Sequence, residues 1–105
     1  MKKTKVYISL PISGHDIEQV KKRAEEVKQR IQNDRVEAVT PFDVCDEKDR
    51  PYSYYMGRDI EALIECDGIY VCNGWLSSKG CQAEVHVAVV YDKKMVFESK
   101  SKVFV

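Results

Sequence analysis

Neither sign of charge prevails in this sequence: 17 Lys and Arg stand against 17 Asp and Glu, and no basic face gathers among them. Non-specific nucleic-acid affinity comes mostly from clustered cations on phosphates, so no nucleic-acid partner is expected. Long apolar runs are also missing. The basic start MKKTK is followed by VYISL, which ends at Pro11 and is too short for a signal peptide or a membrane span. A soluble, cytoplasmic protein with no membrane partner is expected. Cys45, Cys66, Cys72 and Cys81 show no paired C-x-x-C spacing, and neither His15 nor His86 stands at a ligand interval from them. No metal site is therefore expected, and the thiols read as small buried hydrophobes in a reducing compartment. Repeats, low-complexity tracts and linkers are absent, so 105 residues make one domain, 1–105, with room for a single core.

What is present alternates between strand and helix patterns. Lys5 to Leu10 reads as a strand with Val6, Ile8 and Leu10 on one face and Tyr7 and Ser9 on the other. The turn PISGHD follows, with Gly14 where the backbone approaches closely or takes an unusual dihedral. A helix then runs from His15 or Asp16 to about Gln32, its stripe formed by Ile17, Val20, Ala24, Val27 and Ile31. Backbone N–H groups of such a turn can face an anion, but PISGHD has neither the glycines of a dinucleotide fingerprint nor the Lys of a P-loop. Arg35 to Thr40 fits a second strand, and the polar stretch from Asp43 to Ser53 a loop of the length that often covers a site. Tyr52, Tyr54 and Tyr55 at its end suit either stacking on a planar ligand or a half-buried patch. Ser53 is the expected N-cap of the next helix. IYVC reads as a buried strand, MVF as a short one, and KVFV at the C-terminus as an added edge strand. The expected fold is α/β, a doubly wound, flavodoxin- or Rossmann-like parallel sheet of about five strands with helices on both faces.

Two acidic residues stand out against that pattern. On a helix from about Tyr54 to Cys66, Asp59 falls on the stripe of Met56, Ile60, Leu63 and Ile64. On a helix starting near Gly80, Glu84 shares a face with Cys81, Val87, Ala88 and Tyr91, although the β-branched content of EVHVAVVY also suits a strand. Either acid alone could be a first-turn anion or reach solvent at the edge of its stripe. Two of them facing inward across one strand need a reason, because a buried unpaired carboxylate costs several kcal/mol. Paired acids in different surroundings are how acid and base roles become separated.

Three motifs in this order, VYISLPISG, DIEALIECDGIYV and SKGCQAE, resemble the nucleoside 2-deoxyribosyltransferase superfamily, most of all its 2'-deoxynucleoside 5'-monophosphate N-glycosidase branch. The resemblance covers nearly the whole chain. It implies Glu84 as nucleophile, Asp59 as the acid that handles the base, and Tyr7 as the partner that orients Glu84. It also implies a substrate-binding set of Ser9, Ile12, Ser13, Gly14, Ser78 and Gly80. The branch carries a basic residue where this chain has Ser13, and His15 stands close by as a substitute. A C-terminal segment from a neighbouring subunit completes the site in the family, which implies a homodimer or higher homo-oligomer. The implied activity is cleavage of the N-glycosidic bond of a small-molecule nucleoside or nucleotide through a covalent glycosyl-Glu intermediate, with no cofactor. Two other readings stand beside it: a non-catalytic nucleotide-binding module of the same fold, and a glycohydrolase of a nicotinamide or ADP-ribose ligand.

Overall fold

The computed structural model describes residues 2–45 and 47–98. Within them the chain runs β1 (Thr4–Ser9), α1 (Ile17–Ile31), β2 (Val36–Val39), α2 (Pro41–Val44), α3 (Tyr52–Glu65), β3 (Gly68–Val71), a 3₁₀ turn (Trp75–Ser77), α4 (Lys79–Val90) and β4 (Lys94–Phe97). All strand pairs are parallel and their order is β2-β1-β3-β4. A strand buried on both faces needs apolar or internally paired side chains throughout, and β1 meets that demand. Ile8 and Leu10 pack on one side with Val20, Ala24 and Val27 of α1. Tyr7 packs on the other with Leu63 of α3 and Ala88 of α4. Helices therefore cover both faces. The described residues contain four strands rather than about five, and the expected edge strand over KVFV lies outside them.

From β1 the chain moves first to one side, into β2, and later to the other, into β3, so the order reverses between these neighbours. The connections leaving their carboxyl ends diverge, and a crevice opens there. That crevice is where the acidic pair lies.

Local chemistry explains where the elements depart from expectation. Thr40 and Asp43 form a reciprocal capping box, Asp43 N–H donating to Thr40 Oγ1 at 3.1 Å and Thr40 N–H to Asp43 Oδ2 at 3.0 Å. With Pro41 in the first helical position, this winds a short helix at the start of the expected loop. Ser53 does not cap α3. The helix starts two residues earlier, at Tyr52, behind Pro51, whose φ of −66° already suits the entry and which makes no side-chain cap bond. EVHVAVVY is helical: Ser78 caps α4 by accepting from Cys81 N–H, and Cys81, Glu84 and Ala88 are its buried positions. The β-branched Val89 and Val90 face outward, and Tyr91, expected on the inward face, is exposed at the helix end. Ile17 and Ile64 likewise lie at the exposed margins of their stripes.

Gly74 governs the turn into α4. Its φ of 94° is left-handed, and a Cβ there would lie 3.3 Å from Pro11 Cγ. Left-handed backbone costs an ordinary residue about 1–2 kcal/mol, so Gly74→Ala is expected to lose stability of that order in chemical denaturation with the midpoint shifted and the slope unchanged.

Candidate functional site

Alternation along β1 sends Tyr7 and Ser9 to the same face, and both are fully buried. There they meet the second turn of α4. Tyr7 Oη donates to Glu84 Oε2 at 2.9 Å, and Ser9 Oγ donates to Glu84 Oε1 at 2.7 Å. Each oxygen of one carboxylate is thus held by a different hydroxyl, with Glu84 only 4% exposed. Asp59 reaches the same place from α3, where it is 7% exposed. Gly80 lies close against α3 here, since a Cβ on it would stand 3.1 Å from Tyr52 Oη and 3.4 Å from Met56 Sδ.

Asp59 and Glu84 share the wall of a cleft of about 1220 Å³. The turn after β1 contributes Leu10, Ile12 and Ser13, and the start of α1 contributes Ile17, Glu18 and Lys21. Pro41, Phe42 and Cys45 stand on another side, with Glu47, Lys48 and Asp49 from the loop before α3. Tyr52, Tyr55 and Met56 of α3 face Ser77, Ser78, Lys79, Gly80 and Cys81. The walls are mainly apolar and aromatic, with charged side chains and the buried acidic pair among them, the usual composition of a small-molecule site. Two tyrosines of the Tyr52–Tyr55 cluster take part, while Tyr54 packs edge-on against Tyr55 and donates to Glu47.

Burial dominates the electrostatics. It raises Glu84 to about 7 against the opposing donation of Ser9 and Tyr7. It also raises Asp59 to about 7, helped by repulsion from Glu84. Tyr7 is driven well above its ordinary value by burial and by the two carboxylates, so its phenol remains a donor. Two like charges in one apolar pocket disfavour double ionisation, and near neutrality the pair holds one proton. Tyr7 and Ser9 both favour the Glu84 anion, and Tyr7 also favours that of Asp59; with two donors against one, the hydrogen bonding favours Asp59 as the acid that keeps the proton.

Of the residues singled out from sequence, Glu84, Asp59, Ile12, Ser13, Ser78 and Gly80 line the cleft. Tyr7 and Ser9 do not line the cleft; they stand behind Glu84 and donate to its carboxylate. Gly14, with a φ of 83°, and the exposed His15 do not line it. Among the described residues no cluster of His, Cys, Asp and Glu could hold a metal ion, and no helix is long and apolar enough to cross a membrane. None of the described cysteines is bonded to another, and burial pushes the Cys72 thiol up to about 12.

A polar anchor beside the site was not visible in sequence. Glu98, just after β4, accepts from Asn73 N–H at 2.8 Å, from Arg23 at 3.0 Å and from Arg30 at 3.1 Å. Arg23 also donates to the Asn73 carbonyl at 3.1 Å. Burial pulls the Glu98 carboxyl upward, but these donors together hold it below its ordinary value. They fix the start of the Asn73–Ser78 loop that leads into α4. The packing of α1 together with the register of β3 against β4 brings these residues together, and no local spacing reveals it.

The family described as Domain of unknown function (DUF4406) matches residues 4–97. No curated protein matches the sequence. Among solved structures, the 2-desoxiribosyltransferase from Leishmania mexicana superposes with a TM-score of 0.72 at 17% sequence identity, over 93% of this chain and 65% of that one. The likeness shows a shared fold, and this chain spans less than two thirds of that protein's length.

Proposed function

The chain belongs to the DUF4406 family, and for this member we propose cleavage of the N-glycosidic bond of a 2'-deoxynucleoside or its 5'-monophosphate, by hydrolysis or by transfer to a second base. The observation that carries this reading is the Glu84 carboxylate held by two buried hydroxyls in a cleft that Asp59 also lines. The 2-desoxiribosyltransferase fold supports it.

The chemistry follows from where the proton sits. As the C1'–N bond lengthens, its electron pair moves to the base and Asp59 supplies the proton that neutralises it. Positive charge grows on the sugar, and the Glu84 anion stabilises it and then bonds to C1'. A water, or the nitrogen of a second base, next attacks C1'. The C1'–O bond breaks with its pair returning to Glu84, and Asp59 regains a proton from the attacker. The tyrosines and Phe42 offer the apolar walls a planar base needs.

Incubating the protein with deoxynucleosides and their monophosphates is expected to release free base, read by chromatography. Ribonucleosides should react far more slowly, because their 2'-hydroxyl destabilises the developing cation. Tight binding without any base release would leave a binding module, and release only from nicotinamide dinucleotide would move the activity to that ligand class.

A further inference from the structure

Tyr7 and the two acids account for the proposed chemistry, yet a second hydroxyl is invested in the same carboxylate. Ser9 is fully buried, lies two residues beyond Tyr7 on one strand face, and donates at 2.7 Å to the oxygen that Tyr7 does not touch. We infer that Ser9 is a positioning residue that keeps Glu84 ionised and fixed in one rotamer, and that this bond speeds release of the sugar from Glu84. The inference rests on the glycosidase reading for its kinetic part only.

Geometry supplies the reason. A carboxylate on a single hydroxyl can swing about that contact, whereas two donors from β1, one on each oxygen, fix its plane. When one oxygen becomes bonded to C1', the carboxyl is a neutral ester and its hydrogen bonds weaken. When the C1'–O bond breaks, the electron pair returns to Glu84 and both bonds strengthen. A donor that gains strength as charge returns lowers the barrier of that step. Ser9 therefore favours breakdown of the intermediate over its formation. The other groups facing Glu84 are Tyr7 from β1, Asp59 and Tyr52 from α3, and Cys81 on its own helix. None of them donates to Oε1, so the loss of Ser9 is not made good by a neighbour already in place.

The test compares wild type with Ser9→Ala and with Ser9→Cys, which keeps a side-chain atom in place but donates weakly. Carbon-13 NMR titration of the Glu84 carboxyl reads its ionisation whether or not the protein turns over. Removing a donor to the anion disfavours the anion, so the Glu84 titration is expected to move to higher pH in Ser9→Ala, with Ser9→Cys between. A hydrogen bond to a charged group corresponds to a change of about tenfold or more, so the deglycosylation rate is expected to fall about tenfold. Glycosyl-Glu84 should then accumulate in intact-mass spectra during turnover. An unmoved Glu84 titration in both folded variants overturns the inference. If wild type releases no base, the glycosidase reading fails while the titration still decides the role of Ser9.

Discussion

Glu84→Gln abolishes base release, with an expected loss on the order of 10⁴-fold, and leaves the fold intact. Glutamine matches the shape of the carboxylate and can still meet the hydroxyls of Tyr7 and Ser9, which rotate to accept as readily as they donate. What it lacks is the negative charge and the oxygen that bonds to C1'. The stability side of the experiment has a definite sign. Burial raises Glu84 to about 7, above its value in an unfolded chain, so the folded protein holds this proton more tightly. The corresponding stability is fully present below the unfolded carboxylate range and is lost as pH rises through about 7. Glu84→Gln should therefore melt no lower than wild type in mildly alkaline buffer and show a weaker fall of melting temperature with pH. Asp59 carries the same dependence and leaves a residual slope. Full activity in Glu84→Gln would remove the nucleophile role altogether.

That both acids point inward was legible in the sequence, because helical and strand periodicity fix direction without knowledge of the fold. Asp59 lies on the Met56–Leu63 stripe and Glu84 on the Cys81–Ala88 stripe, and both are buried where those stripes meet the sheet. The shared face of Tyr7 and Ser9 was visible for the same reason. The resemblance implies Ser9 among the substrate-binding residues; the structure puts it behind Glu84, a distinction that needs the depth of the cleft floor. The helical state of EVHVAVVY was not decidable locally. Val89 and Val90 fall on the outer surface and Val85 and Val87 pack only at the margin of the core, so packing does not enforce a strand preference, and the Ser78 cap and the inward Ala88 settle the state. The capping box Thr40-x-x-Asp43 was readable in principle, being a local pattern, and marks the helix that interrupts the expected loop. The Glu98 anchor belongs to another class: it joins residues from α1, the end of β3 and the end of β4, and no periodicity within one segment encodes it.

Asp59→Asn tests the other half of the acidic pair, and its pattern separates an acid from a residue that merely shapes the cleft. Wild type needs Glu84 ionised and Asp59 protonated, so its rate should fall on both sides of neutrality, at low pH as Glu84 gains a proton and at high pH as Asp59 loses one. With asparagine the alkaline fall disappears, since the amide does not titrate. The acid fall remains, because Asp59 is neutral in that range and its replacement changes little around Glu84. The rate on an ordinary deoxynucleoside should drop by about 10²–10⁴-fold, the usual contribution of a general acid. A deoxyriboside whose base departs without protonation, because it is strongly electron-poor, should lose far less, since the missing proton is not needed for it. Equal losses on both substrates would assign Asp59 to shape or binding instead. Retention of the alkaline fall would show that some other group supplies the proton.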